Sequence, residues 1–192
     1  MSQKYILDTN AYFNYLRVSQ SDIPDAAQFT DVLSKIKEGN PCVSIITKVE
    51  IISVLGKYAR GQNGGPQDCN CIISETGEKC TNKRYITPRR RWPTKKIKFW
   101  RKLIKETMDG TSTLISLQLL PFDTNTINEA QKIIEHALIH NFGSMDAIIA
   151  ATAQLEIANQ NNVTVITSDK ALKACLSKCS IPCWDAFAKE EL

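Results

Sequence analysis

The sequence predicts an α/β protein, a three-layer α/β/α sandwich around a central, mainly parallel sheet, with an irregular basic insertion. Three observations predict it. Short apolar runs at Tyr5–Leu7, Cys42–Ile46, Leu114–Leu120 and Val163–Ile166 alternate with stretches of helical periodicity. Strands separated by helices must cross over, which favours parallel pairing with helices on both faces. The 192 residues are 43% hydrophobic and 23% charged, a globular composition rather than a disordered one. Periodicity fails only between Gly61 and about Pro93, so this stretch reads as an insertion into one domain spanning 1–192, with the insertion at about 61–95.

The first strand ends at Asp8, and Asn10 is a candidate cap for a helix over Ala11–Val18. Pro24 stands near the start of a second helix, where Phe29, Val32, Leu33 and Ile36 recur and Gly39 stops the run. After the second strand, Thr47 is placed to cap a helix carrying Val49, Ile52, Leu55 and Tyr58. Beyond the insertion, Thr94 can cap a basic helix through Met108 with an apolar stripe of Ile97, Trp100, Leu103 and Ile104. Asp123 or Thr124 caps a helix whose apolar face uses Ile127, Ala130, Ile133, Ile134, Ala137 and Leu138. Ser144 is the expected cap of an Ala- and Ile-rich helix to about Ala158, central to the fold. A short helix follows Asp169, then a last strand at Ile181–Trp184.

The N-terminus shows no signal-peptide pattern, and no run approaches the ~18 apolar residues of a membrane helix, so the expectation is a cytoplasmic chain without a membrane partner. Seven cysteines, an odd number without an export signal, read as mostly reduced thiols. Net charge is +4, but twelve Lys or Arg and no acid fall between Lys79 and Lys105. The rest of the chain keeps twelve basic and all 20 acidic residues, a balance of −8. An acidic body with one concentrated basic segment suggests a polyanionic partner.

Open α/β sheets place their sites at the carboxyl ends of the strands. Asp8 closes the first strand and Asp169 the fourth. Glu50 and Asp146 fall in the first turns of helices. Four carboxylates from four segments therefore converge at one sheet edge, where helix N-termini add partial positive charge. Crowded carboxylates repel unless a cation sits among them, and hard oxygen ligands suit Mg²⁺ or Mn²⁺. Such an ion lowers the pKa of a bound water and neutralises a phosphodiester. Two ions ~4 Å apart can clamp the attacking and leaving oxygens. Each acid alone is more readily an ordinary helix-start residue than a catalytic one. Asp8 is the least ordinary, because LDTN follows a buried strand at the very start of the chain.

The segments YILDTNAYFNYL, SIITKVEIISVL, GSMDAIIAATAQ and TVITSDKAL, in this order, resemble the four acidic motifs of the PIN-domain ribonucleases, most of all the VapC-type toxins of bacterial toxin–antitoxin pairs. The resemblance frames the chain but leaves Gly61–Met108 largely outside. It implies a PIN-like fold and Mg²⁺- or Mn²⁺-dependent endoribonuclease activity, with metal and catalytic roles on Asp8, Glu50, Asp146 and Asp169. Asn10 and Thr167 match polar positions that support the site. It also implies a homodimer and an antitoxin whose tail enters the acidic groove. The insertion of roughly thirty residues departs from the compact toxin pattern.

An acidic site repels RNA at long range, so attraction must come from elsewhere. Arg89, Arg90, Arg91, Trp92, Lys95 and Lys96 are the candidate RNA contacts, through phosphates and base stacking. The plainer alternative is a solvated basic face whose aromatics pack onto the core, and a third is a dock for an acidic protein; for Arg89, Arg90, Arg91 and Trp92 RNA contact is the favoured reading. Trp100 belongs to the apolar stripe. Cys69, Cys71 and Cys80 offer three thiols for a small Zn²⁺ loop, without a paired CxxC spacing or an obvious fourth ligand. Cys175, Cys179 and Cys183 read as small buried residues, His136 as a surface or interface residue, and His140 as a weak candidate for RNA approach. Two other functions fit the same residues: a PIN nuclease of RNA maturation or quality control, and a non-catalytic RNA-binding protein that has kept the fold.

Overall fold

The computed structural model describes residues 3–68, 80–139 and 142–188. The chain divides into two compact units: residues 1–54 with 102–192, and residues 55–101.

The first unit holds a five-stranded sheet in the order β5-β2-β1-β6-β7, from Gln3–Leu7 (β1), Asn40–Ser44 (β2), Gln118–Leu120 (β5), Asn162–Ile166 (β6) and Cys183–Trp184 (β7). All four pairings are parallel, with Leu7 opposite Ile166 and Ile6 opposite Cys42. Among the described residues the α-helices are Thr9–Ser19 (α1), Thr30–Glu38 (α2), Thr47–Ala59 (α3), Thr94–Met108 (α4), Thr124–Ile134 (α5), Ser144–Ala158 (α6) and Lys170–Lys178 (α7). Alternate strand residues point to opposite faces. Ile6, Cys42, Val163 and Val165 join one core with Ala130 and Ile133 of α5, Ala147, Ala150 and Ala151 of α6, and Leu172, Cys175 and Leu176 of α7. Small Ala side chains let α6 lie close to the sheet, which suits a central helix. Leu7, Val43 and Ile166 are buried on the other side, where α1 contributes Tyr12, Phe13 and Leu16.

Several boundaries differ from the sequence reading. Asn10 does not cap α1. Asp8 does, accepting the Ala11 N–H, and Asn10 is exposed within the first turn. Thr47 begins α3, but its buried hydroxyl has no hydrogen-bond partner among the described residues, so it does not act as a side-chain cap. A short 3₁₀ turn at Ala26–Phe29 separates Pro24 from α2. The third parallel strand is only Gln118–Leu120, because Leu114–Leu117 lies beyond the pairing with β2. Gly143, not Ser144, precedes α6, and Asp146 accepts its N–H at 2.9 Å. Asp123 is the cap of α5. His136 sits in a 3₁₀ turn, Glu135–Leu138, and His140 lies outside the described residues.

The described residues of the second unit include a strand pair that the sequence reading did not expect. Gly65–Asp68 (β3) and Lys83–Ile86 (β4) form an antiparallel pair. Gln62 and Arg89 exchange backbone hydrogen bonds at 2.8 Å, and the Trp92 N–H reaches the Ala59 carbonyl at 3.0 Å. Gly61, at φ +72°, brings its backbone against Arg89–Arg91, where a Cβ would come within 2.5 Å of the Arg89 carbonyl oxygen. Only glycine fits that combination of dihedral and contact.

Candidate active site

The parallel strands end at one edge, and the four acids are set there by local rules. Asp8 is the residue after β1, and its backbone N–H donates to the Ile166 carbonyl of β6 at 3.1 Å. That bond fixes its position beside the end of the neighbouring strand. Its side chain caps α1 through Ala11 and also accepts from the Thr167 hydroxyl. Asp169 caps α7, accepting from Ala171 and Leu172. Its own N–H donates to the Thr167 oxygen at 3.0 Å. Thr167, fully buried, therefore couples the two aspartates. Asp146 lies in the first turn of α6 and Glu50 in that of α3. All four carboxylates sit at helix N-termini, where backbone N–H groups favour negative charge.

Electrostatically the acids form a chain: Asp8 feels Asp169 and Glu50, and Asp146 feels Asp169. Asp8 is buried, with 3% of its surface exposed, and its pKa is pushed up to about 6. Loss of solvation is the main cause. The Thr167 and Ala11 hydrogen bonds oppose it, and the two neighbouring carboxylates add to it. Asp146 is also raised, first by burial, against the Gly143 hydrogen bond, with Asp169 contributing. Glu50 is half-buried and Asp169 exposed, so the cluster runs from core to solvent.

A hard divalent cation fits this donor set: carboxylate oxygens only, one of them buried and held against its charge by like-charged neighbours. As placed, no three His, Cys, Asp or Glu among the described residues close to ligating distance around one point. The acids influence one another electrostatically without forming a finished coordination shell among the described residues.

Thr9 belongs to this site and was not among the sequence candidates. Buried at the first position of α1, it donates its hydroxyl to Glu50 Oε2 at 2.5 Å, across 41 residues of chain. Its position next to Asp8 at the strand end was the available signal.

The other candidates fall differently. Arg89 is half-buried: its guanidinium donates to the Lys57 carbonyl at 3.1 Å and lies 4.5 Å from the centroid of the Tyr58 ring. Trp92 packs between Tyr58 and Trp100, with Lys96 4.3 Å over its ring. These three are thus tied into the structure of their own unit, whereas Arg90, Arg91 and Lys95 are exposed. Cys69 and Cys71 lie outside the described residues, and Cys80 is a half-buried free thiol. Burial raises the Cys175 thiol to about 12 and also raises Cys179, as suits unreactive packing residues.

A parallel sheet of this order with acids at its carboxyl edge defines a class of α/β proteins with an acidic site. Comparison supplies the family. The PIN domain profile matches residues 5–175, and the chain belongs to the PIN domain family, whose members are generally nucleases. Among solved structures, the crystal structure of FitAcB from Neisseria gonorrhoeae is similar at a TM-score of 0.53 and 16% identity, covering 96% of this chain and 99% of that one. At that identity the likeness speaks for the fold. No curated protein matches the sequence. Among the described residues no helix is long and apolar enough to cross a membrane.

Proposed function

We propose that this PIN domain is an endoribonuclease dependent on Mg²⁺ or Mn²⁺, with Asp8, Glu50, Asp146 and Asp169 as its metal-holding catalytic acids. The observation that carries the reading is the buried Asp8 carboxylate, its pKa pushed up to about 6 and its charge coupled to Glu50 and Asp169. A bound divalent ion supplies the charge neutralisation and activated water that phosphodiester hydrolysis requires.

The chain's own residues prepare for that chemistry. Thr167 and the Ala11 N–H occupy both Asp8 oxygens from the protein side and fix the plane of the carboxylate. Thr9 orients Glu50, and the Gly143 N–H orients Asp146. Asp169, exposed at the start of α7, is the acid most open to an incoming substrate. Asn10, exposed in the first turn of α1, is the supporting polar group on that side. Arg90, Arg91 and Lys95 attract RNA phosphates; Arg89, Trp92 and Lys96 serve that surface mainly by shaping it.

The resemblance of the four motifs to VapC-type toxins supports a toxin role, with an antitoxin partner, a homodimer and structured cellular RNA as the target. A second reading, RNA maturation or quality control, is favoured by the basic, Cys-containing insertion at about 61–95, a departure from the compact toxin pattern. The presence of all four acids disfavours a non-catalytic scaffold.

The test is incubation of transfer and ribosomal RNA with the purified protein in Mn²⁺, followed by mapping of the new ends. Cleavage that stops with EDTA and with Asp8→Asn is the expected result. Equal cleavage by Asp8→Asn would refute the site. Growth arrest on expression, relieved by the product of a small neighbouring gene, separates toxin from maturation enzyme.

A further inference from the structure

The turn that carries Asp169 is held by a residue outside the span matched by the PIN profile. Asp185 follows β7, whose Trp184 is fixed by three contacts. Its carbonyl accepts the Thr167 N–H at 3.1 Å, its ring packs on Tyr5 with centroids 6.0 Å apart, and the Lys35 ammonium lies 4.7 Å over it. From that anchored position the two Asp185 oxygens take different partners. Oδ1 accepts from the Ser168 hydroxyl and Oδ2 from the Lys173 ammonium. Ser168 immediately precedes Asp169, and Lys173 follows it by four residues on α7. One carboxylate therefore grips the chain on both sides of a proposed metal-holding acid.

Lys173 gives this grip a second consequence. Side chains four residues apart at a helix start are neighbours, and an acid at the N-terminal member with a lysine at the other is the favourable orientation for an ion pair. Unrestrained, Lys173 would swing to the exposed Asp169 carboxylate and act as an internal cation there. The described contacts place it instead on Asp185, with about a third of its side chain exposed. Burial pushes the Asp185 carboxyl up, but Lys173 and Ser168 together outweigh it and hold the group below its ordinary range. It therefore stays charged and keeps hold of the lysine near neutral pH.

We propose that Asp185 is a positioning residue for the acidic site: it pins the turn around Asp169 and sequesters Lys173, leaving the Asp169 carboxylate open to a divalent cation. The inference rests on the proposed metal-dependent reading of that site.

The test is Mn²⁺ titration calorimetry on the full chain, with thermal melting as a folding control. Asp185→Asn keeps an acceptor for Ser168 but releases the lysine, and is expected to weaken Mn²⁺ binding roughly tenfold, at the low end of what outer-layer partners of metal ligands contribute. Lys173→Met added to Asp185→Asn should restore affinity to within about threefold of wild type, because the competing cation is gone; a purely structural role would not be rescued by this second change. Lys173→Met alone should bind Mn²⁺ as tightly as wild type or more tightly. Wild-type affinity in Asp185→Asn, a double variant as weak as the single, or tenfold weaker binding by Lys173→Met alone would each overturn the proposal. Wild-type protein that fails to bind Mn²⁺ at all would instead overturn the metal-dependent reading, and this inference with it.

Discussion

The two units of the chain handle charge in opposite ways. In the first, acids are drawn to a strand edge, partly or wholly buried, and given specific hydrogen-bond partners: Thr167 for Asp8, Thr9 for Glu50, Gly143 for Asp146. In the second, Arg90, Arg91 and Lys95 are exposed, while Arg89 is drawn in by a carbonyl and an aromatic ring and Lys96 by the Trp92 ring. Charges that are buried and oriented at a cost in solvation suit chemistry at a point. Charges left hydrated suit long-range attraction without geometry. Under the proposed function, cleavage belongs to the first unit and attraction of RNA to the second.

The largest effect that would break this division is on cleavage. Asp8→Asn should lower the rate on the order of 10³-fold or more while RNA affinity changes little, since it removes a metal-holding charge but no phosphate contact. Retained cleavage, read on a labelled RNA, would end the assignment. Next in size, Thr9→Val should weaken Mn²⁺ binding roughly tenfold and Thr9→Ser should recover it, because the hydroxyl and not the bulk orients Glu50.

Replacing Arg90 and Arg91 together by Ala sharpens the other side. RNA affinity should fall several-fold and the slope of log affinity against log salt should flatten by about 1–2, with the catalytic rate on saturating RNA unchanged. Arg89→Ala should behave differently, costing roughly 1–2 kcal/mol of stability through its hydrogen bond and ring contact. An Arg89 variant that lost only RNA affinity would blur the distinction drawn within the basic triplet.

The smallest effect is on the stability of the metal-free protein. Asp8 has a folded pKa near 6 against an ordinary 3.8. Between these values the native state binds the proton more tightly than the unfolded chain, so stability falls as pH rises from about 4 to 6 and stays reduced above it. Metal-free Asp8→Asn should therefore melt a few degrees above wild type at pH 7, the gap closing toward pH 4. The same ionisation makes Mn²⁺ affinity fall as pH drops below about 6, since the ion needs the charged carboxylate.

What the sequence made legible follows from how local each signal is. Asp8 and Asp169 stand directly after apolar strand runs, and Glu50 and Asp146 in the first turns of strongly patterned helices. Their arrival at one edge follows from the βα order alone. Asp8 and Asn10 are both good caps by residue type, and in the fold Asp8, joined to β6 by its bond to the Ile166 carbonyl, is the one that caps. The Thr9–Glu50 and Ser168–Asp185–Lys173 contacts join segments with no periodic relation, so spacing could not show them. The β3–β4 pair was missed because most of its residues are exposed, and a strand without a buried face carries no alternation to read.

Binding of Mn²⁺ to the metal-free protein at neutral pH, followed by calorimetry for wild type, Asp8→Asn and Asp146→Asn, tests the central claim most directly. Saturable binding by the wild type that is lost in both carboxamides is the predicted result. Binding of equal strength in all three proteins, or none in the wild type at millimolar Mn²⁺, would contradict it.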